Sequence, residues 1–392
     1  MSARYGWVVV AAAFTLMFVG FAAAYSFAAF FSAFESEFQA LRGHVALVFS
    51  VAAFTWFLFG APGGVLADRF GTRRVALTGI ACLTVLLCLA SYASSVTALY
   101  VTYSIGVGIG VGLTYVPAVG AVQPWFQANR AFASGLAVAG IGAGNIAGPL
   151  LATWWIELWG WRGAFRAMAV FVLVLGGVAA ALIRNAPSKE RRHEGTPLAP
   201  ALRTSEFWLL YGSLVFACIG TFVPMVHLGQ FAQDAGYSRT EGVTLVSLIG
   251  LGSLVGRFTI GGVADRLGRR ASLAAMYAGL GVMLVVWWAA HAYWVLALFA
   301  VVFGACYGGY VALLPTLVMD RFGARSVAGI IGFLYTGAGI GTLIGPWLAG
   351  AVYDALGNYD LPILAGAGFS LAAAGCVVVL IQGEAHKARH SG

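Results

Sequence analysis

The chain has 392 residues, 61% of them hydrophobic and 9% charged, with a mean hydropathy of +0.89. Soluble domains average roughly half apolar and a quarter charged, so these values exclude a water-soluble protein and describe one that crosses a lipid bilayer many times. The formal net charge of +8 would suit a nucleic-acid partner, but its placement, in every second loop between apolar runs, excludes that class.

At about 20 apolar residues per span, the length accommodates twelve helices with short loops. The first, over 5–33, opens on Tyr5 and Trp7, an interfacial aromatic anchor. It is too long for a signal h-region and no convincing small-residue cleavage site follows it. Glu35, Glu37, Arg42 and His44 then form a first outer loop, before helix 2 over 44–66 and helix 3 over 74–93. Helix 4, over 97–124, carries Gly106, Gly108, Gly110 and Gly112. These mimic a dinucleotide fingerprint, but no strand precedes them, so close helix packing is the expected use. Tyr115 stands beside Pro117, where loss of a backbone donor favours a bend.

Helices 5 and 6 are expected over 131–155 and 164–184. The polar stretch 185–203, with Pro187, Pro197 and Pro200, reads as a cytoplasmic linker between residues 1–184 and 204–392. Helix 7 over 206–233 contains Pro224 and His227, and Asp234 follows at its outer end. Helices 8 to 12 are expected over 241–264, 271–290, 292–319, 326–350 and 360–382. The five cysteines lie in apolar runs without metal-type spacing, which fits reduced core residues and no metal site.

Basic residues mark one side of the membrane: Arg69, Arg73, Arg74, Arg130, Arg184, Arg266, Arg269, Arg270 and Arg321 among them, together with both termini. Only Arg42, Arg162, Arg166 and Arg239 fall on the other. Positive residues stay cytoplasmic, so both termini are expected inside a plasma membrane or bacterial inner membrane.

An internal repeat runs through the chain. Gly64-x-x-x-Asp68-Arg69-x-Gly71-x-Arg73 recurs 197 residues later as Gly261-x-x-x-Asp265-Arg266-x-Gly268-x-Arg270, with a second arginine beside each, Arg74 and Arg269. Gly144, Gly148 and Pro149 recur at the same offset as Gly341, Gly345 and Pro346. A period of half the chain indicates two homologous halves. Asp68 and Asp265 are expected to cap neighbouring helices and meet the arginines of their turns, forming a latch that opens and closes one face.

Arg257 breaks an apolar run eight residues before Asp265, about 12 Å inside the hydrocarbon by helical rise. A charge at that depth costs about 3 kcal/mol or more, so it is expected to face a cavity and bind. A guanidinium matches a carboxylate through two parallel hydrogen bonds. One fixed cation suits one carboxylate; a second would stay unpaired in low dielectric. Tyr115, Tyr307, Tyr310 and Tyr335 lie near the middle of helices 4, 10 and 11, with Tyr25 similarly placed in helix 1, and each can offer a hydroxyl and a ring. Proton coupling needs a titratable group; Asp234 and His227 share a helix face, and Asp234 is expected to pair with Arg257 when the anion is absent.

The turn motif resembles the cytoplasmic loop of the major facilitator superfamily. Over nearly its full length the chain resembles that superfamily's monocarboxylate transporter family and the related oxalate:formate antiporters. The resemblance rests on Tyr5-Gly6-Trp7-Val8-Val9 in helix 1 and on Trp125-Phe126-Gln127-Ala128-Asn129-Arg130-Ala131-Phe132-Ala133-Ser134-Gly135-Leu136-Ala137 in helix 5. It implies an all-α membrane protein of twelve helices in two pseudo-symmetric six-helix bundles, alternating access, an anion-binding arginine that matches Arg257, and a helix-7 acid that matches Asp234. Two departures stand out. Ser253 replaces the aspartate that proton-coupled animal members carry before that arginine, and Ala338 replaces the helix-11 lysine of oxalate antiporters. The spacing of Gly135, Gly144, Gly148 and Pro149 is also similar to a drug-exporter signature, but Ala152-Thr153 replaces its closing glycines.

The expectation is therefore a monomeric secondary transporter of small monocarboxylates such as lactate or pyruvate, coupled to a proton and using no cofactor. An organic-anion exchanger, a proton-linked drug exporter and an anion receptor are the alternatives. An enzyme is not expected, because no nucleophile–base pair or metal cluster accompanies the apolar cavity.

Overall fold

The computed structural model describes residues 3–122, 125–126, 130–185, 196–290, 292–323 and 327–390, excluding the side chains of 3–4, 68, 130–132, 261–263, 265, 327–328 and 383–390. Most of the described chain is helical. The passes are α1 (Tyr5–Phe38), α2 (Arg42–Phe70), α3 (Thr72–Ala90), α4 (Val96–Val122), α5 (130–159), α6 (161–182), α7 (Ser205–Asp234), α8 (Arg239–Leu267), α9 (Arg269–Ala289), α10 (Tyr293–Phe322), α11 (Val327–Leu356) and α12 (Asp360–His390). Eleven described helices are long and apolar enough to cross a membrane, and one of them, Ala133–Leu182, has 50 residues. Straight, it would span about 75 Å, more than twice a hydrocarbon core. It reverses at Gly160 (φ 66°, ψ 173°), which divides it into two passes and makes twelve. The loop expected between 155 and 164 is absent; both helices continue to a residue whose missing Cβ permits the turn.

Three local features depart from simple helices, one of them a π-turn over Val172–Gly176 in α6. Helix α1 breaks at Ser26, whose hydroxyl donates to the Ala23 carbonyl at 2.8 Å. Helix α4 widens by one residue over Tyr100–Ser104, a π-turn. Glycines 106, 108, 110 and 112 of α4 face Leu86, Thr55, Leu83 and Phe59, so they serve the close packing expected of them.

The repeat is visible in the packing itself. Gly144 and Gly148 of α5 lie against the backbone of Phe18 and Ala22 in α1, while Gly341 and Gly345 of α11 lie against Val215 and Ile219 in α7. The two contacts of the first half are related to the two of the second by 197 residues, so the two six-helix halves repeat one helix contact. The paired turns repeat too: Gly71 has φ 88° and ψ 140°, Gly268 φ 87° and ψ 138°, a region that glycine enters without strain. Between the halves, α2 packs on α11, from Gly43 against Ala351 to Ala61 against Gly332. Helix α5 packs on α8, with Asn145 against Gly250 and Gly142 against Leu254. Residues 186–195 of the expected linker lie outside the described residues; the remainder includes one short helix, Leu198–Ala201.

Candidate functional site

Arg257 projects from α8 toward α5, where its Nη1 donates to the Val138 carbonyl at 3.0 Å. Its Nε and Nη2 are buried and have no hydrogen-bond partner among the described residues. These two N–H groups leave one edge of the guanidinium in parallel, the edge that takes a carboxylate side-on. The Cζ atom stands 6.0 Å from the Tyr307 ring centroid.

Arg257 borders a cavity between the halves, with about 40 Å³ open to the centres of water-sized molecules. One water needs roughly 10–15 Å³ on this measure, so the space suits a ligand of a few heavy atoms. Tyr25, Tyr115, Tyr307, Tyr310 and Tyr335 all line it with Arg257, the single charged lining residue among those described. The hydroxyls of Tyr25 and Tyr307 lie 2.9 Å apart, joining the halves, and Tyr310 Oη is 3.8 Å from Cys218 Sγ. Tyr115 stands edge-on to Phe21 with ring centroids 5.7 Å apart, and Tyr335 is 5.8 Å from Phe57. The apolar lining is rigid and aromatic on the α1–α2 side, where Phe21, Tyr25 and Trp56 pack together.

Sequence reasoning missed the apolar half of this wall, although a signal for it existed. Phe21 and Cys218, Tyr25 and Phe222, and Ile141 and Ala338 all line the cavity, and each pair is related by the 197-residue repeat. Applying that offset to Tyr25 would have pointed to Phe222.

Asp234 and His227 lie elsewhere. The Asp234 carboxylate does not meet Arg257; it is gripped by Arg42, Nη1 to Oδ2 at 2.5 Å and Nη2 to Oδ1 at 2.7 Å. The physical reason is depth. Asp234 ends α7, whereas Arg257 lies 18 residues into α8, about 27 Å by helical rise from that end. Arg42 also binds Glu35 (3.1 Å) and the Tyr359 hydroxyl (3.0 Å), and its Cζ sits 4.0 Å above the Tyr353 ring. Its own backbone N–H and that of Gly43 donate to Asp354. One guanidinium of α2 is thereby fastened to α7, α11 and the start of α12. His227 is fully buried, between the Tyr359 hydroxyl (Nδ1, 3.1 Å) and the Pro346 carbonyl (Nε2, 2.8 Å), and does not line the cavity.

At the opposite end lie the repeated turns. The side chains of Asp68 and Asp265, and Gly261, are outside the described side chains. Gly64 of α2 packs on Val116 of α4. Arg69 lies 5.2 Å over the Phe70 ring, and Arg74 and Arg266 are exposed. Arg270 borders a cleft with Arg269, Leu317, Asp320 and Arg321. There Arg269 pairs with Asp320, and Arg321 with Glu206. The described residues contain no group of three or more His, Cys, Asp or Glu side chains able to hold a metal.

The Major Facilitator Superfamily model matches residues 13–278 and 216–392. Monocarboxylate transporter 3 of Rattus norvegicus is 30% identical over 385 residues, covering 91% of this chain and 76% of its own. The chain belongs to the monocarboxylate transporter family of that superfamily. Monocarboxylate transporter 13 of Rattus norvegicus is 29% identical over 382 residues, covering 96% of this transporter and 89% of its own chain. Among solved structures, a bacterial homologue of the human lysosomal transporter Spinster superposes with a TM-score of 0.73 at 16% identity. The match covers 97% of this transporter and 96% of that chain, which establishes the shared fold. The transporter is a multi-pass membrane protein, and its family consists of transporters rather than enzymes.

Proposed function

We propose that the transporter carries a small monocarboxylate of lactate or pyruvate size together with a proton, as a monomer in a plasma membrane or bacterial inner membrane, with the Arg42 end facing outward. The observation that carries this reading is Arg257, whose Nε and Nη2 have no partner among the described residues, lining a small cavity with no other charged side chain among those described. A single carboxylate would satisfy both donors and neutralise the charge; a dicarboxylate would bring an unmatched one. The tyrosine hydroxyls can take the anion's remaining polar atoms, and the rings its methyl group. The relatives' names, monocarboxylate transporters, agree with this class.

For proton coupling we assign Asp234, acting through Arg42 rather than Arg257. A protonated carboxyl cannot hold a guanidinium as a carboxylate does, so protonation would loosen the seam between the halves and admit the anion. Arg257 and its tyrosines would then be exposed alternately to the two sides as the halves rock.

The test is uptake of labelled L-lactate into proteoliposomes with and without an inward proton gradient. Wild type is expected to accumulate lactate under the gradient, and Arg257→Ala to lose about 100-fold in uptake, since truncating one partner of a desolvated charge pair costs around 3 kcal/mol. Uptake that requires lactate inside would indicate exchange. No lactate flux by folded wild type would refute the substrate class.

A further inference from the structure

Above the cavity, α5 and α8 close on a polar group that no described residue satisfies. Asn145 of α5 is 1% exposed, and neither its carboxamide oxygen nor its nitrogen has a hydrogen-bond partner among the described residues. A primary amide can make four hydrogen bonds, and a buried one that makes none calls for a reason. The repeat sharpens the point. At the mirrored position, 197 residues on, Thr342 of α11 is also buried, but its hydroxyl donates to the Gly339 carbonyl at 2.9 Å. The same place in the fold therefore accepts a polar residue that satisfies itself, and Asn145 does not.

Its position suggests the use. Val138, Ile141 and Asn145 share one face of α5. Val138 holds Arg257, Ile141 lines the cavity, and Asn145 is one turn beyond, about 6 Å nearer the end locked by Arg42 and Asp234. Facing it on α8 is Gly250, seven residues or about 10 Å from Arg257. Other buried, unpartnered groups continue in the same direction. Ser247 Oγ lies one turn past Gly250 on α8, and Gln230 Nε2 lies on the α7 face that also carries His227 and Asp234. Apolar side chains would pack here without leaving unpaired donors, and no hydrogen bond among the described residues uses these.

We propose that Asn145 is a positioning residue on the outer route. When α5 and α8 part, its carboxamide N–H donates to the carboxylate of the incoming anion and passes it inward to Arg257. This rests on the reading of Arg257 as the anion's binding residue and of the Arg42 end as outward.

Two measurements test it. In right-side-out vesicles, Asn145→Cys should react with a membrane-impermeant methanethiosulfonate added outside, at least fivefold faster than the parent chain with its native cysteines, and saturating L-lactate should slow the reaction. This readout needs no lactate transport, so it separates failure of the route from failure of the substrate assignment. Labelling no faster than the parent, in a variant that folds, would overturn the proposal. In the second, Asn145→Leu should raise the KM for external L-lactate about tenfold, equivalent to about 1.4 kcal/mol, with kcat within twofold. The same change should raise Tm, because it removes two unpaired groups, and Asn145→Gln should recover part of the KM. A raised Tm with an unchanged KM would make Asn145 a packing residue only and overturn its role.

Discussion

Replacing Asp234 with asparagine should open the seam that Arg42 holds. The charges of this pair lie about 4 Å apart, and at an effective dielectric near 20 their attraction is about 4 kcal/mol. The Asp234 side chain is 35% exposed, so solvent screening roughly halves this, to about 2 kcal/mol. Asparagine keeps the shape and one neutral acceptor but none of the charge. If only the closed arrangement contains the pair, losing 2 kcal/mol raises the open-to-closed ratio about thirtyfold. Leu41 and Leu356 flank the lock on opposite halves and are 57% and 56% exposed, so both can carry spin labels once the native cysteines are replaced. The label-to-label distance distribution should gain a long component in Asp234→Asn, and proton-driven lactate accumulation should weaken in the same protein. A distribution identical to that of the parent, in folded protein, would refute both the lock and the coupling route built on it.

Two other outcomes follow from residues that the cavity includes or leaves out. His227→Leu breaks contacts with Tyr359 and the Pro346 carbonyl, so it should cost about 1–3 kcal/mol, read as a lower Tm. Its proton-to-lactate stoichiometry should stay that of wild type; a change would put His227 back on the proton path. Cys218 lines the cavity, so methyl methanethiosulfonate should slow transport and L-lactate should protect against it. Equal inhibition of Cys218→Ser would show that another thiol is responsible.

Arg257 was legible in the sequence because an arginine inside an apolar run has few innocent explanations. The tyrosines were legible because depth in a helix can be counted, and all five border the same cavity. The partner of Asp234 was not, since Arg42 lies 192 residues away and reaches it only after α2 has been set against α7 and α11. Arg42 looked like an ordinary loop residue because its helix was expected to begin at 44 and begins instead at Arg42 itself. The π-turn over Tyr100–Ser104 also escaped, because one extra residue per turn leaves apolar periodicity almost unchanged in a run that is apolar on every face. Asn145 escaped for another reason. Nothing in a sequence distinguishes an asparagine that finds partners from one that does not.

The lone guanidinium in the cavity wall has an electrical consequence. Empty, the cavity carries one positive charge; holding a monoanion, it carries none. The proton proposed for Asp234 restores that charge to the loaded carrier, so with one proton per anion a transmembrane voltage, worth up to about 2.3 kcal/mol per 100 mV for a charge crossing the whole field, would act on the loaded and empty forms alike. A negative interior would favour the inward-facing arrangement of both forms but add nothing to the driving force of a complete cycle, which moves no net charge.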